Sequence, residues 1–314
     1  SGIVKAPVST LLILLLVQCA ITAIVYWPND MLPTMRDKKP LISFNADLLD
    51  EINISDRHNN EVVLLRRGDR WILPELEELP ADDGMIRDLI DALAYQPHGR
   101  PVADTVPARQ RFHVAAYHYQ RRLTLIGEGE LLATIYLGTS PGFRRVHARN
   151  DTGDAIYSVK FNNFDAPASA SAWLQRSLLQ ISDPDHIKGP GFEISRAGNG
   201  WLTPSGVAPD RRELDALLLV LASQQIDGVA EEDDQRTLAE TEPSLVLDVR
   251  TASGTERLEY FSLDSGRFVY SRKFPLFFSL SDYDFDRITG IDGRALAATI
   301  PARSTPDPEE NSPR

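Results

Sequence analysis

The chain has 314 residues, 42% hydrophobic and 25% charged, a globular composition long enough for about two domains and a sizeable core. A net charge of −12 and a pI near 5.0 exclude broad attraction to phosphate backbones, so no nucleic-acid partner is expected. The one cysteine, Cys19, excludes an intramolecular disulfide and lies inside an apolar N-terminal run.

A short tail, residues 1–7, precedes an uncharged stretch at 8–27. Twenty residues at 1.5 Å rise span about 30 Å, the thickness of the hydrocarbon core, so a transmembrane helix is expected there. Tyr26 and Trp27 stand where amphipathic rings favour the headgroups, and Pro28 ends the pattern. A cleavable signal peptide is the alternative, but bulky Val25, Tyr26 and Trp27 stand where its small-residue site would lie. A lipobox reading of Leu16-Val17-Gln18-Cys19 meets Gln18 where a small residue belongs. Lys5 on one side and Arg36, Lys38 and Lys39 on the other leave the membrane side open from charge alone. Residues 28–48, with Pro28, Pro33 and Pro40, read as a spacer, and 301–314 as a disordered tail.

Between spacer and tail the chain repeats itself. Val62-x-Leu64-x-Arg66-x-Gly68-x-x-Trp71-x-x-Pro74 matches Phe192-x-Ile194-x-Arg196-x-Gly198-x-x-Trp201-x-x-Pro204 at a constant offset of 130. Alternating apolar residues, a Gly turn and a returning Trp predict a β-hairpin in each copy. An amphipathic helix follows each hairpin, through Met85, Ile86, Leu89, Ile90 and Leu93 and again through Leu214, Leu217, Leu218 and Leu221. Strands come next. Leu123-x-Leu125 answers Leu245-x-Leu247, and Leu132-x-x-Ile135-x-Leu137 answers Leu258-x-x-Phe261-x-Leu263. Val146-His147-Ala148-Arg149 answers Val269-Tyr270-Ser271-Arg272, and Ile156-Tyr157-Ser158-Val159 with Phe164-Asp165 answers Phe277-Phe278-Ser279-Leu280 with Phe285-Asp286. The expected fold is therefore α+β: a transmembrane helix, then two tandem repeats of a β-hairpin–helix–antiparallel-strand unit, at 49–182 and 183–300. Residues 172–181 read as a short helix closing the first unit.

Searches for chemistry return little. No G-x-S-x-G and no phosphate-binding glycine loop is present, and Ser140 in Gly138-Thr139-Ser140-Pro141-Gly142 is explained by its turn-forming neighbours. His113 and His118, five apart, would point to opposite faces of a strand, so no metal site is expected. The run Glu231-Glu232-Asp233-Asp234 lacks the glycine of a calcium loop and reads as a solvated loop. The candidate binding residues are those both copies keep. Arg149 and Arg272 suit a carboxylate or phosphate, against pairing with an acid such as Asp165 or Asp286 in their own unit. Trp71 and Trp201 suit stacking on a sugar or partner, against core packing. No catalytic residue and no cofactor is expected.

Together these blocks resemble a bacterial family, domain of unknown function 4340 (DUF4340), over most of residues 8–299. The resemblance rests on Gly68-Asp69-Arg70-Trp71-Ile72-Leu73-Pro74 and on Leu137-Gly138-Thr139-Ser140-Pro141 with Arg149. It implies a Gram-negative inner-membrane anchor, a periplasmic soluble region and an accessory role beside an ABC-type transporter similar to the gliding-motility exporter. It supplies no catalytic residue. The expectation is a non-enzymatic, single-pass interaction subunit with ABC-transporter-type membrane subunits as partners. The alternative is a periplasmic ligand-binding module for an envelope glycan, lipid or peptide at the junction of the repeats, and an envelope hydrolase is the remote third.

Overall fold

The computed structural model describes residues 15, 17, 18, 41–94 and 99–297. Leu15, Val17 and Gln18 are helical and exposed. The rest of the predicted span at 8–27, residues 1–7, most of the spacer and the 301–314 tail lie outside the described residues. Among the described residues no helix is long and apolar enough to cross a membrane. The chain divides into a unit Ser1–Lys39 and a unit Pro40–Arg314, and the second holds two eight-stranded antiparallel sheets.

The first sheet is built from β1 (Glu51–Asp56), β2 (Glu61–Arg67), β3 (Arg70–Leu73) and β4 (Leu79–Pro80). Helices α1 (Asp83–Ala94) and α2 (Val106–Arg111) follow, with a small ribbon of β5 (Val114–Ala115) and β6 (His118–Tyr119). Then come β7 (Arg121–Gly127), β8 (Glu130–Leu137), β9 (Val146–Asn150) and β10 (Tyr157–Val159). The strand order is β10-β9-β8-β7-β1-β2-β3-β4. A connecting segment carries the one-turn α3 (Ala170–Trp173).

The second sheet takes β11 (His186–Gly189), β12 (Phe192–Ala197) and β13 (Gly200–Leu202), then α4 (Arg211–Ser223), β14 (Ile226–Val229) and α5 (Glu232–Ala239). It closes with β15 (Leu245–Thr251), β16 (Gly254–Leu263), β17 (Gly266–Ser271), β18 (Phe277–Leu280), α6 (Asp282–Thr289) and α7 (Gly293–Leu296). Its order is β13-β12-β11-β15-β16-β17-β18-β14.

Local sequence explains these elements. Ile52, Ile54, Val62, Leu64, Leu123 and Leu125 alternate with more exposed residues and are fully buried on one face. Gly68, at φ +62°, makes the left-handed turn from β2 to β3, and Gly198, at φ +57°, does the same from β12 to β13. Helix α1 lays Ile86, Leu89 and Leu93 on the core, and the Asp82 carboxylate accepts from the Gly84 and Met85 N–H groups at its start. Helix α4 does likewise with Leu214, Leu217 and Leu221, capped by Asp210.

Pairing carries one sheet onto the other. Ile52 faces Leu64 and Leu125, and Leu125 faces Ala133; Ile187 faces Ile194 and Val249, and Val249 faces Glu256. Two residues further on, Ile135 faces Asn150 and Leu258 faces Ser271. Ile135 therefore corresponds to Leu258, not to Phe261, and Arg149 corresponds to Tyr270, not to Arg272. The first displacement is odd, so it flips the side chain: Ile135 lies in the shared core, whereas Phe261 lies in an outer cluster with Ala230, Leu238 and Phe268 beside α5. Strand β14 on β18 has a minimal counterpart in the bridge between Ala103 and Ile156.

One core runs through both sheets. The connecting segment stitches them: Asp82 N–H donates to Trp173 O, Ile181 N–H to Leu221 O and Ile226 N–H to Arg176 O. Trp173 is fully buried with Nε1 donating to Pro167 O at 2.8 Å, and the buried Tyr260 hydroxyl donates to Gln224, whose Nε2 reaches Leu179 O.

The α+β expectation is corrected to a mostly β, antiparallel architecture. The helical periodicities mark one long helix beside each sheet, while alternating patterns and short bridging strands account for most ordered residues. Each predicted unit also lacked its opening strand: β1 and β11 precede the hairpins and lie inside the sheets, β1 between β7 and β2 and β11 between β15 and β12. The predicted 172–181 helix is not formed: the one turn at Ala170–Trp173 ends where that segment begins, and Leu178 and Leu179 lie beyond it. The acidic run 231–234 is not a loop: Glu231 stands at the N-cap position of α5, without a side-chain capping bond, and the next three acids fill its first turn, where the helix dipole favours them.

Candidate functional site

The four sequence candidates do not converge. Trp71 is 8% exposed and packs in the core. Trp201 is half-buried against the same core, with the Arg196 guanidinium 5.7 Å from its ring centroid. Arg272 is exposed just past β17. Arg149 is buried, donating from Nε to Val114 O at 2.9 Å and from Nη1 to Asn150 O and Gly153 O at 2.9 and 3.0 Å. Its guanidinium lies 4.7 Å from the Tyr136 ring centroid. Burial, reinforced by nearby Arg109, lowers its pKa from the ordinary arginine value. Arg149 thus serves the fold through carbonyls and an aromatic ring, not through an ion pair with Asp165.

Arg149 and Gly138 hold the α2–β6 segment onto the outer face of the first sheet. A Cβ on Gly138 would stand 1.9 Å from Phe112 O, so only glycine permits this approach. The ribbon also brings His113 and His118 together, ring centroids 4.2 Å apart, because a tight turn folds the strand back on itself. Burial, then His118 and Arg57, lower the His113 pKa. Burial also lowers that of His147, outweighing its hydrogen bond to the Thr139 carbonyl. Among the described residues no cluster of three metal-ligating side chains is found.

A cleft of about 720 Å³ opens at one end of the first sheet. The β1–β2 turn, the start of β7, the loop joining β8 to β9 and the segment after β10 form its walls. Arg57, Arg121, Arg144 and Arg145 line it against one carboxylate, Asp56. Arg121 is anchored by Nε to Ala166 O at 2.9 Å, and Arg145 by Nε to Ser158 Oγ at 2.8 Å. Arg57 and Arg144 are exposed, and Arg144 holds a left-handed φ of 52°. Ser140 Oγ lies 2.7 Å from the carbonyls of both Gly142 and Arg145, which shapes the loop. Asp56 accepts from the Asn60 side chain and from the His58 and Asn60 N–H groups. Burial raises its pKa, but these bonds and Arg121 outweigh that and hold it below the ordinary carboxylate value.

Two phenylalanines complete the rim. Phe143 is 91% exposed and Phe164 85% exposed. Phe285, which the sequence aligns with Phe164, is buried in α6. Leaving such a ring in water forgoes about 1.5–3 kcal/mol of burial. The arginines and Phe143 were missed because no repeat marks them, and Phe164 because its repeat partner Phe285 gave no sign of exposure. The available signal was charge: between 100 and 149 there are eight arginines against three acids, in a chain of net charge −12.

Fold and site define a twin-sheet antiparallel protein with a basic, aromatic-rimmed cleft on its first sheet. The chain belongs to the family described as Domain of unknown function (DUF4340), matched over residues 71–243. No curated protein and no solved structure matches it.

Proposed function

We propose that this protein is a non-enzymatic, membrane-anchored interaction subunit on the periplasmic side of the bacterial inner membrane, accessory to an ABC-transporter-type complex. The observation that carries the interaction role is the cleft, where an acidic protein gathers four arginines beneath two unburied phenylalanines. Guanidiniums stay protonated at neutral pH, so they hold anions and do not shuttle protons. Asp56 already accepts three hydrogen bonds. The location and the transporter partner rest on the apolar stretch at 8–27 and on the family resemblance. The rival reading places a ligand at the junction of the sheets, yet this cleft belongs to the first sheet alone. Crosslinking in the native membrane, then co-purification in mild detergent, tests the role: transporter-type subunits should be recovered with the chain, and a chain that migrates alone refutes it.

A further inference from the structure

We infer that the arginine cleft receives an extended, acidic segment of a partner protein, its carboxylates on Arg57, Arg121 and Arg144 and an apolar side chain between Phe143 and Phe164. The inference rests on the interaction-subunit reading and names the chemistry of its partner.

Charge complementarity sets the sign of the occupant. All four cations lining the cleft are arginines, whose planar forks suit bidentate carboxylate binding. Among the described residues Arg57 and Arg144 spend little of their donor capacity: Arg57 Nε meets the neighbouring His58 ring, and both residues are exposed. Arg121 is pre-positioned by two backbone carbonyls, which reduces the ordering cost of binding.

Shape sets the class. A concave volume of about 720 Å³ is that of a pocket for a few residues of chain, and a flat bilayer does not enter it. A body of net charge −12 is also repelled as a whole by an anionic membrane surface. The Asp56 carboxylate in the same wall opposes a dianionic phosphate more strongly than a singly charged carboxylate. Phe143 and Phe164 supply what an anion does not need, an apolar clamp for a neighbouring side chain.

The test pans a phage library of random octapeptides against the full chain in mild detergent, beside Arg57→Gln/Arg144→Gln and Phe143→Ala variants whose melting matches wild type. Wild type should enrich peptides carrying two or more Asp or Glu beside an apolar residue. The double variant should weaken a selected peptide at least tenfold, and 0.5 M salt should weaken it on wild type as well. Absence of acidic enrichment, or enrichment indifferent to the arginines, overturns the inference. So does arginine-dependent binding of dihexanoyl-phosphatidylglycerol without peptide binding, which marks a lipid-headgroup site. Membrane crosslinking of the double variant separates the two levels: a partner captured equally by both proteins keeps the interaction role and removes the cleft from it.

Discussion

Arg149 is the residue whose replacement should reveal most. Its buried guanidinium makes three hydrogen bonds to carbonyls, at 2.9, 2.9 and 3.0 Å, and covers the Tyr136 ring. Bonds to a charged donor contribute about 1.5–3 kcal/mol each, and the ring contact up to about 2 kcal/mol. Against this stands the desolvation of the guanidinium, several kcal/mol. Arg149→Met removes the desolvation cost but leaves the buried Val114 carbonyl and two part-buried ones without their donor, so a net loss of about 3–5 kcal/mol is expected. In a protein of ordinary stability, about 5–15 kcal/mol, that is a fifth or more of the total. Urea unfolding of the full chain, followed by tryptophan fluorescence, measures it. Arg149→Lys, a point charge without the fork, should lose about half as much. A Met variant within about 1 kcal/mol of wild type would refute the structural role, and lost partner binding at unchanged stability would return Arg149 to the candidate binding residues.

Gly138→Ala should cost more than about 3 kcal/mol, because its Cβ meets the Phe112 carbonyl and backbone must move; urea midpoints will show it. His113 and His147 both have folded pKa values below the unfolded 6.5, so the folded state binds fewer protons and their contribution, present above 6.5, is lost as pH falls through the folded values. Melting temperature should therefore drop between pH 7.5 and 5.5, and less steeply in His147→Gln; an unchanged slope contradicts the assignment. Because one core serves both sheets, the fluorescence and far-UV circular-dichroism transitions in urea should coincide within each of the Trp71→Phe and Trp201→Phe variants, and two separated transitions would show that the sheets unfold independently.

Much of the local structure was legible because it obeys short periods. The alternation through Val62 and Leu64 and the 3–4 spacing through Leu214, Leu217 and Leu221 are visible without neighbours. Register was not. Aligning Ile135 with Phe261 satisfied hydrophobicity, while its equivalence with Leu258 shows only once β7 and β15 are registered on β1 and β11, which are remote from them in sequence. Strands β1 and β11 escaped because neither carries the Arg-x-Gly-x-x-Trp signature of the hairpin beside it. The cleft was hidden for a related reason: Arg57, Arg121 and Arg144 meet only when the β1–β2 turn and two loops reach one end of the sheet. Phe164 stood in the sequence only as the match of Phe285, and that match hides that one ring is exposed and the other buried.

The interior position of β1 and β11 bears on how this protein can be divided. A fragment of residues 71–243 would begin at β3 and stop short of β15, leaving β7 and β11 each with a bare hydrogen-bonding edge where β1 and β15 had lain. Such edges recruit other chains and aggregate. The stretch that inheritance marks most clearly is thus not an autonomous folding unit, and useful excision points lie outside both sheets, before residue 41 and after residue 297.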